Sequence, residues 1–393
     1  LARPFSTIRR VKTEPVVPQS AAEGFPLWVD SFKREAMAQG INTDVLDNAF
    51  RDVQYDSDII KRDRNQSEFT KSIWDYLDSA ASQSRIRNGK SALDKRQGSL
   101  NAIEAKYGVE KEVVTAVWGL ESAYGKFRGD NNVVQSLATL AYDGRRGAFF
   151  KEQLLAAFEI LENGDVSAVN MTGSWAGAMG HTQFIPTSYL SFAVDFDGDG
   201  KRNIWSDDPS DALASTAAYL ARSGWVKGQP WGVEVLLPQG FDYSLASRKI
   251  KKSPGVWAKL GIVDTEGDAV PNYGTASILL PAGGQGAAFM IFQNFAVIER
   301  YNAADAYVIG VGHLSDRIKG GPAIRAKWPR QDRSLTISER KEMQTRLTQS
   351  GFSTQGVDGK IGPNTIEAVR AYQLSVGIAP DGYASLTLLK RLR

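Results

Sequence analysis

Residues Val117-Trp-Gly-Leu-Glu-Ser-Ala-Tyr-Gly125 close an apolar stretch that begins at Glu110. On a helix turning about 100° per residue, Val114, Val117, Trp118 and Glu121 fall within a narrow arc. A glutamate therefore lies near the middle of an apolar face. Spacing alone leaves two readings open. Glu121 could pair with an arginine inside a structural network. Alternatively it is an acid whose burial raises its pKa, by up to ~3–5 units when burial is complete. A glutamic acid kept protonated near neutral pH is what a glycosidic oxygen needs from a general acid.

The 393 residues suffice for two or three domains with a sizeable core, at 42% hydrophobic and 23% charged. A net charge of +3, with much of the basic excess at the two termini, is too weak to argue for nucleic acid. The absence of cysteine rules out disulfides, thiolate metal sites, a cysteine nucleophile and a lipidated cysteine in this chain. No run of about 18 apolar residues could span a bilayer. Leu1 stands first, which a removed export signal or a shortened chain would explain. Of the two histidines, His181 and His313, neither sits in an HExxH pattern, and no GxSxG elbow, Walker loop or strand-linked GxGxxG is present.

Residues 1–24 read as a flexible lead-in, followed by helical pattern through about residue 170. A β excursion is expected over about 230–293, with strands in Gly232-Val-Glu-Val-Leu-Leu-Pro, Ala276-Ser-Ile-Leu-Leu-Pro and Ala287-Ala-Phe-Met-Ile-Phe. Helix then returns and stops at Gly320-Gly-Pro. Residues 323–334 read as a polar linker and 335–393 as a compact helical unit, with a capping box at Thr336-Ile-Ser-Glu339. Asp358-Gly and Asp381-Gly, each preceding a helix start, make a weak internal echo.

Two further stretches carry chemistry. Gly173-Ser-Trp-Ala-Gly-Ala-Met-Gly-His-Thr-Gln-Phe-Ile-Pro-Thr-Ser-Tyr189 mixes small residues, neutral hydrogen-bonding groups and flat apolar rings. That mixture suits a sugar, although tight packing through small residues would produce it equally well. Asp195-Phe-Asp-Gly-Asp-Gly-Lys201 places aspartates at positions 1, 3 and 5 of an EF-hand loop, with Gly200 at position 6 and the Lys201 carbonyl at position 7. Ser206 stands where a bidentate glutamate is usual, leaving Asp207, Asp208 or Asp211 to close a structural Ca²⁺ site.

Jointly, Glu121-Ser-Ala-Tyr-Gly125, the 173–189 stretch, the Asp195 loop and Arg300-Tyr-Asn302 resemble the lytic murein transglycosylase B family, glycoside hydrolase family 103, over roughly residues 25–320. The resemblance implies a mainly α chain: a lysozyme-like core (residues 25–322) with an added helical subdomain and a small β subdomain. It implies non-hydrolytic cleavage of the MurNAc-β-1,4-GlcNAc bond of peptidoglycan, leaving 1,6-anhydroMurNAc ends. Glu121 matches the single catalytic acid, which later acts as base. Ser174, Gln183, Tyr301, Asn302, Tyr307 and Tyr124 match sugar-side positions, and Arg145-Arg146 a basic pair expected to meet acidic groups of the stem peptide. Asp195, Asp197, Asp199, Lys201 and Asp211 are the implied Ca²⁺ ligands, and catalysis needs no cofactor. Trp175 and His181 stand where the family carries tyrosines. Gly356-Val-Asp-Gly-Lys-Ile-Gly-Pro and the helix after it resemble the small three-helix peptidoglycan-binding domain of cell-wall hydrolases. A periplasmic enzyme acting on glycan strands and stem peptides, with other cell-wall enzymes as partners, is the expectation; a hydrolytic muramidase or a silent wall-binding scaffold are the alternatives.

Overall fold

The computed structural model describes residues 21–65 and 71–393. The expected lead-in falls outside these up to residue 20, and a helix, Ala21–Ala38, already occupies its last four positions. The chain is mainly α, with seventeen α-helices among the described residues and two small sheets. Side chains gather into four cores.

The helix Lys111–Ser122 lies in the first core. Val113, Val114, Ala116, Val117 and Trp118 are buried there, packed with the helix Asp305–Lys319. Full burial of one such valine contributes about 1.5–3 kcal/mol, so the apolar stripe suffices to fix this helix. The second core joins the N-terminal helices to the helices Val133–Asp143 and Gly147–Glu162. A two-stranded ribbon, β1 (Asn131–Asn132) against β2 (Thr172–Gly173), opens the 173–189 stretch.

The β excursion forms where the alternating pattern placed it. Strands β3 (Gly232–Leu236), β4 (Val263–Asp264), β5 (Ser277–Leu279) and β6 (Ala288–Ile291) build one antiparallel sheet in the order β4-β3-β6-β5. The two-residue period divides β6 between cores. Ala288 and Met290 face the β subdomain with Trp257, while Phe289 and Ile291 face the first helical core.

The C-terminal unit has three helices, Ile337–Gln349, Pro363–Ser375 and Leu386–Leu392, around Met343, Leu347, Val369 and Leu389. The capping box forms: Thr336 Oγ1 accepts from the Glu339 amide, and Glu339 Oε2 accepts from the Thr336 amide. The segment read as a polar linker is a strap laid on the helical and β parts before it. Glu234 accepts the amides of Arg325 and Ala326 at 2.9 and 2.7 Å, Trp328 packs on Trp74, and Pro329 and Asp332 are buried. Polar composition suggested a solvated tether; backbone amides satisfied by a sheet carboxylate override it.

Candidate active site

Glu121 occupies the last turn of its helix, which ends in three successive left-handed residues, Ala123 (φ 49°), Tyr124 (φ 62°) and Gly125 (φ 85°). Such a conformation costs a non-glycine residue of order 1–3 kcal/mol. Several contacts over-determine the turn. Ser122 Oγ donates to the His181 carbonyl at 2.5 Å and accepts from the Gly125 amide at 2.9 Å. The Tyr124 ring meets Trp118 edge-on, and its hydroxyl donates to the Arg85 carbonyl at 2.8 Å. A Cβ on Gly119 would lie 2.6 Å from that ring, so Gly119 makes its close seat possible. Arg85 in turn donates to the Gly119 carbonyl, placing a cation at the negative end of the helix.

The carboxyl of Glu121 is enclosed although the residue keeps an exposed edge. Burial raises its pKa from 4.5 to about 7. Tyr307 opposes this by donating its hydroxyl to Oε1 at 2.5 Å, and burial wins. Tyr301 stacks on Tyr307 with ring centroids 6.5 Å apart and planes 8° apart, and its hydroxyl donates to the Thr182 carbonyl. Tyr76 completes the group: burial, then the charge of Glu121, pushes its hydroxyl up to about 12. No reading of local sequence assigns a role to Tyr76, because it arrives from the helix Ile73–Ala80, whose pattern is ordinary.

The 173–189 stretch is a tight loop. Ser174 Oγ accepts from the amides of Ala176 and Ala178, leaving its own hydrogen to donate outward. Gln183, at φ 56°, spends both amide hydrogens on the carbonyls of Arg128 and Gly180, leaving Oε1 as an acceptor. His181 is buried. Its Nδ1 accepts from Trp118 Nε1 at 3.1 Å and its Nε2 faces the Ser206 carbonyl at 2.7 Å, so partners assign the tautomer and the ring is structural.

Other expected positions are engaged within the protein. Asn302 is exposed, its side chain accepting from the Ala304 amide at the start of the helix that carries Tyr307. Tyr124 spends its hydroxyl on Arg85. Arg145 makes a two-pronged pair with the buried Asp63, at 2.7 and 2.5 Å. Arg146 lies over the rings of Phe149 and Phe150. No contact joins either arginine to the Glu121 group among the described residues.

In the aspartate loop, oxygens of Asp195, Asp197 and Asp199 lie within 4.8 Å of one another. Three carboxylates at that spacing fit a hard cation such as Ca²⁺. Asp211 is not in that cluster. Its two oxygens accept the amides of Phe196, Asp197 and Asn203, and so order the loop through its backbone. Lys201 is tied back by its amide to Asp199 Oδ1 at 2.8 Å.

An enclosed acid beside a tyrosine cluster, in a lysozyme-like helical core, is the arrangement of enzymes that cleave glycan chains. Residues 24–316 match the Transglycosylase SLT domain family, to which the chain belongs, and residues 336–392 match the Putative peptidoglycan binding domain. The chain is 33% identical over 240 residues to the membrane-bound lytic murein transglycosylase B of Escherichia coli (strain K12), a match spanning 59% of this chain and 63% of that relative. The fold is similar to the crystal structure of SltB3 from Pseudomonas aeruginosa in complex with NAG-anhNAM-pentapeptide. There the TM-score is 0.92 at 49% identity, covering 94% of this chain and 99% of that one. It is also similar to the Escherichia coli lytic transglycosylase Slt35 in complex with calcium, with TM-score 0.64, 28% identity and coverage of 74% and 92%. Among the described residues, no helix is long and apolar enough to cross a membrane.

Proposed function

We propose that the chain is a lytic transglycosylase that cleaves the MurNAc-β-1,4-GlcNAc bond of peptidoglycan without water, leaving 1,6-anhydroMurNAc ends. The observation that carries this reading is Glu121, an enclosed carboxyl raised to about 7 by burial and held by the Tyr307 hydroxyl at 2.5 Å. Hydrolases of glycans ordinarily use two carboxylates, the second serving as nucleophile or activating water. Here the nucleophile belongs to the substrate.

Protonated Glu121 gives its proton to the glycosidic oxygen as the bond from muramic C1 to that oxygen breaks, and positive charge develops at C1. The C6 hydroxyl of the same muramic residue then closes onto C1 and passes its proton to the Glu121 carboxylate, which restores the acid. Tyr307 holds Oε1 in place through both steps and stabilises the carboxylate in the interval. Ser174 as outward donor, Gln183 Oε1 as acceptor, and Tyr76 and Tyr301 as flat walls suit the hydroxyls and C–H faces of the sugars.

The similarity to SltB3, solved with an anhydro-muramic peptide, supports the same substrate class, and the C-terminal unit supports binding to the wall. A periplasmic site of action follows from that substrate. Asp195, Asp197 and Asp199 would hold a structural Ca²⁺, remote in role from the proton transfers. The test is mass spectrometry of muropeptides released from purified sacculi by the wild type and by Glu121→Gln. Fragments one water lighter than lysozyme products, resistant to borohydride and absent with the variant, are expected. Full-mass reducible ends would overturn the reading.

A further inference from the structure

The Asp-Gly echo of the C-terminal unit is a structural repeat. The helix Ile337–Gln349 carries Ile337, Lys341 and Gln344; the helix Pro363–Ser375 carries Ile366, Arg370 and Gln373 at the same intervals. Each glutamine is buried and clasps an Asp-Gly turn from both sides. Gln344 Nε2 donates to Asp358 Oδ1 at 3.0 Å, and Gln344 Oε1 accepts from the Gly359 amide at 2.8 Å. Gln373 repeats this on Asp381 Oδ1 at 2.7 Å and on the Gly382 amide at 2.8 Å. The residue after each glycine closes the turn, Lys360 and Tyr383 donating their amides to the same aspartate oxygen. A Cβ on Gly359 would meet Ile337 and Lys341, and one on Gly382 would meet Ile366 and Arg370, so the basic residue flanks the turn in both copies.

The second copy is occupied by the chain itself. Asp381 Oδ2, the oxygen not used inside the clasp, accepts the Gly284 amide at 2.9 Å, and Arg370 donates to the Ala246 carbonyl at 3.1 Å. Both bonds go to main chain of the β subdomain. A Cβ on Gly283 would sit 2.4 Å from Asp381 Oδ2, so the clasp takes a peptide of small residues at close range. In the first copy the corresponding groups are exposed. Asp358 Oδ2 and the Lys341 ammonium have no protein partner among the described residues, and Ile337 and Val357 beside them are 41% and 48% exposed.

We propose that the Asp358–Lys341 clasp is a binding site for the stem peptide of peptidoglycan. Asp358 Oδ2 accepts a peptide N–H, as Asp381 does from Gly284, and Lys341 donates to a carbonyl or to the terminal carboxylate, as Arg370 does to the Ala246 carbonyl. This rests on the wall-directed reading above and names the part of the wall that the domain reads. Alanine, small and with its amide unshielded, is the side chain such a clasp admits.

The test uses the full chain carrying Glu121→Gln, so that the wall stays intact. Its affinity is measured for intact sacculi, for sacculi stripped of stem peptides by an amidase, and for a soluble stem pentapeptide. Asp358→Asn keeps the oxygen that Gln344 and Lys360 use and turns the free acceptor into a donor; Lys341→Met keeps the apolar stem. Each variant is expected to weaken binding to intact sacculi and to the pentapeptide about tenfold, the order of one charge-assisted hydrogen bond. Melting midpoints, and cleavage of a short soluble glycan by the same variants with Glu121 intact, stay unchanged. Unchanged affinities would overturn the proposal. So would an equal loss on stripped glycan, which would make the site a reader of sugar acetamides, or wild-type binding indifferent to stripping. Failure of the enzymatic reading shows separately, as missing anhydro ends while the pentapeptide still binds.

Discussion

Glu121→Gln should stabilise the protein while silencing it, and the gain should depend on pH. The folded chain holds the Glu121 proton to about pH 7, against an ordinary value of 4.5. At about 1.4 kcal/mol per pKa unit, that difference is worth roughly 3 kcal/mol. Between about pH 4.5 and 7 the native state binds more protons at this site than the unfolded chain does. Stability therefore falls as pH rises through that window and levels off above it. Glutamine carries no such proton and still offers Tyr307 an oxygen. Urea denaturation, followed by the fluorescence of Trp118 and its neighbours, should find the two proteins nearly equal at pH 4. At pH 8 the variant should be more stable by roughly 3 kcal/mol, since the wild type then carries an enclosed carboxylate. A gap of the same size at both pH values would refute the reasoning, and so would a wild type that is the more stable at pH 8. Either result would mean that the native carboxyl titrates like a solvated one, and the general-acid role would lose its physical basis.

Tyr307→Phe removes the hydrogen bond that favours the Glu121 carboxylate, so the basic limb of the pH–rate profile should move up by about one pKa unit with a loss of rate. An unmoved limb would show that Tyr307 does not tune the acid. Gly119→Ala drives a methyl to within 2.6 Å of the Tyr124 ring, and thermal denaturation should register a cost of about 1–3 kcal/mol together with lost activity. Calcium should raise the wild-type melting midpoint, with about 2.7 kcal/mol expected at a hundredfold excess over Kd. In Asp195→Ala that response should vanish, and a response that survives would place any bound ion elsewhere. Gly283→Val collides with Asp381 and strains a residue at φ 67°, so small-angle scattering should show a larger radius of gyration as the C-terminal unit leaves the β subdomain. An unchanged radius would show that the strap alone holds it.

What was legible in the sequence was what is local. The helix bearing Glu121, the alternation in β3, β5 and β6, and the capping box at Thr336 each satisfy themselves within a few turns or one pleat, so their period or spacing shows in any short window. The surroundings of Glu121 had no such signature. Tyr307 reaches it across 186 positions, and Asp63 takes Arg145 across 82. A tyrosine or an arginine looks the same in the chain whether its partner is substrate or protein. The C-terminal repeat is the instructive intermediate. Its Asp-Gly turns are visible as an echo, but the glutamines that make them clasps stand 14 residues before one aspartate and 8 before the other. Loops of unequal length hide the duplication until the folded chain superposes Gln344 on the role of Gln373. The copy that the protein uses on itself then shows what the other is built to hold, because the same donor and acceptor face peptide main chain in one and solvent in the other.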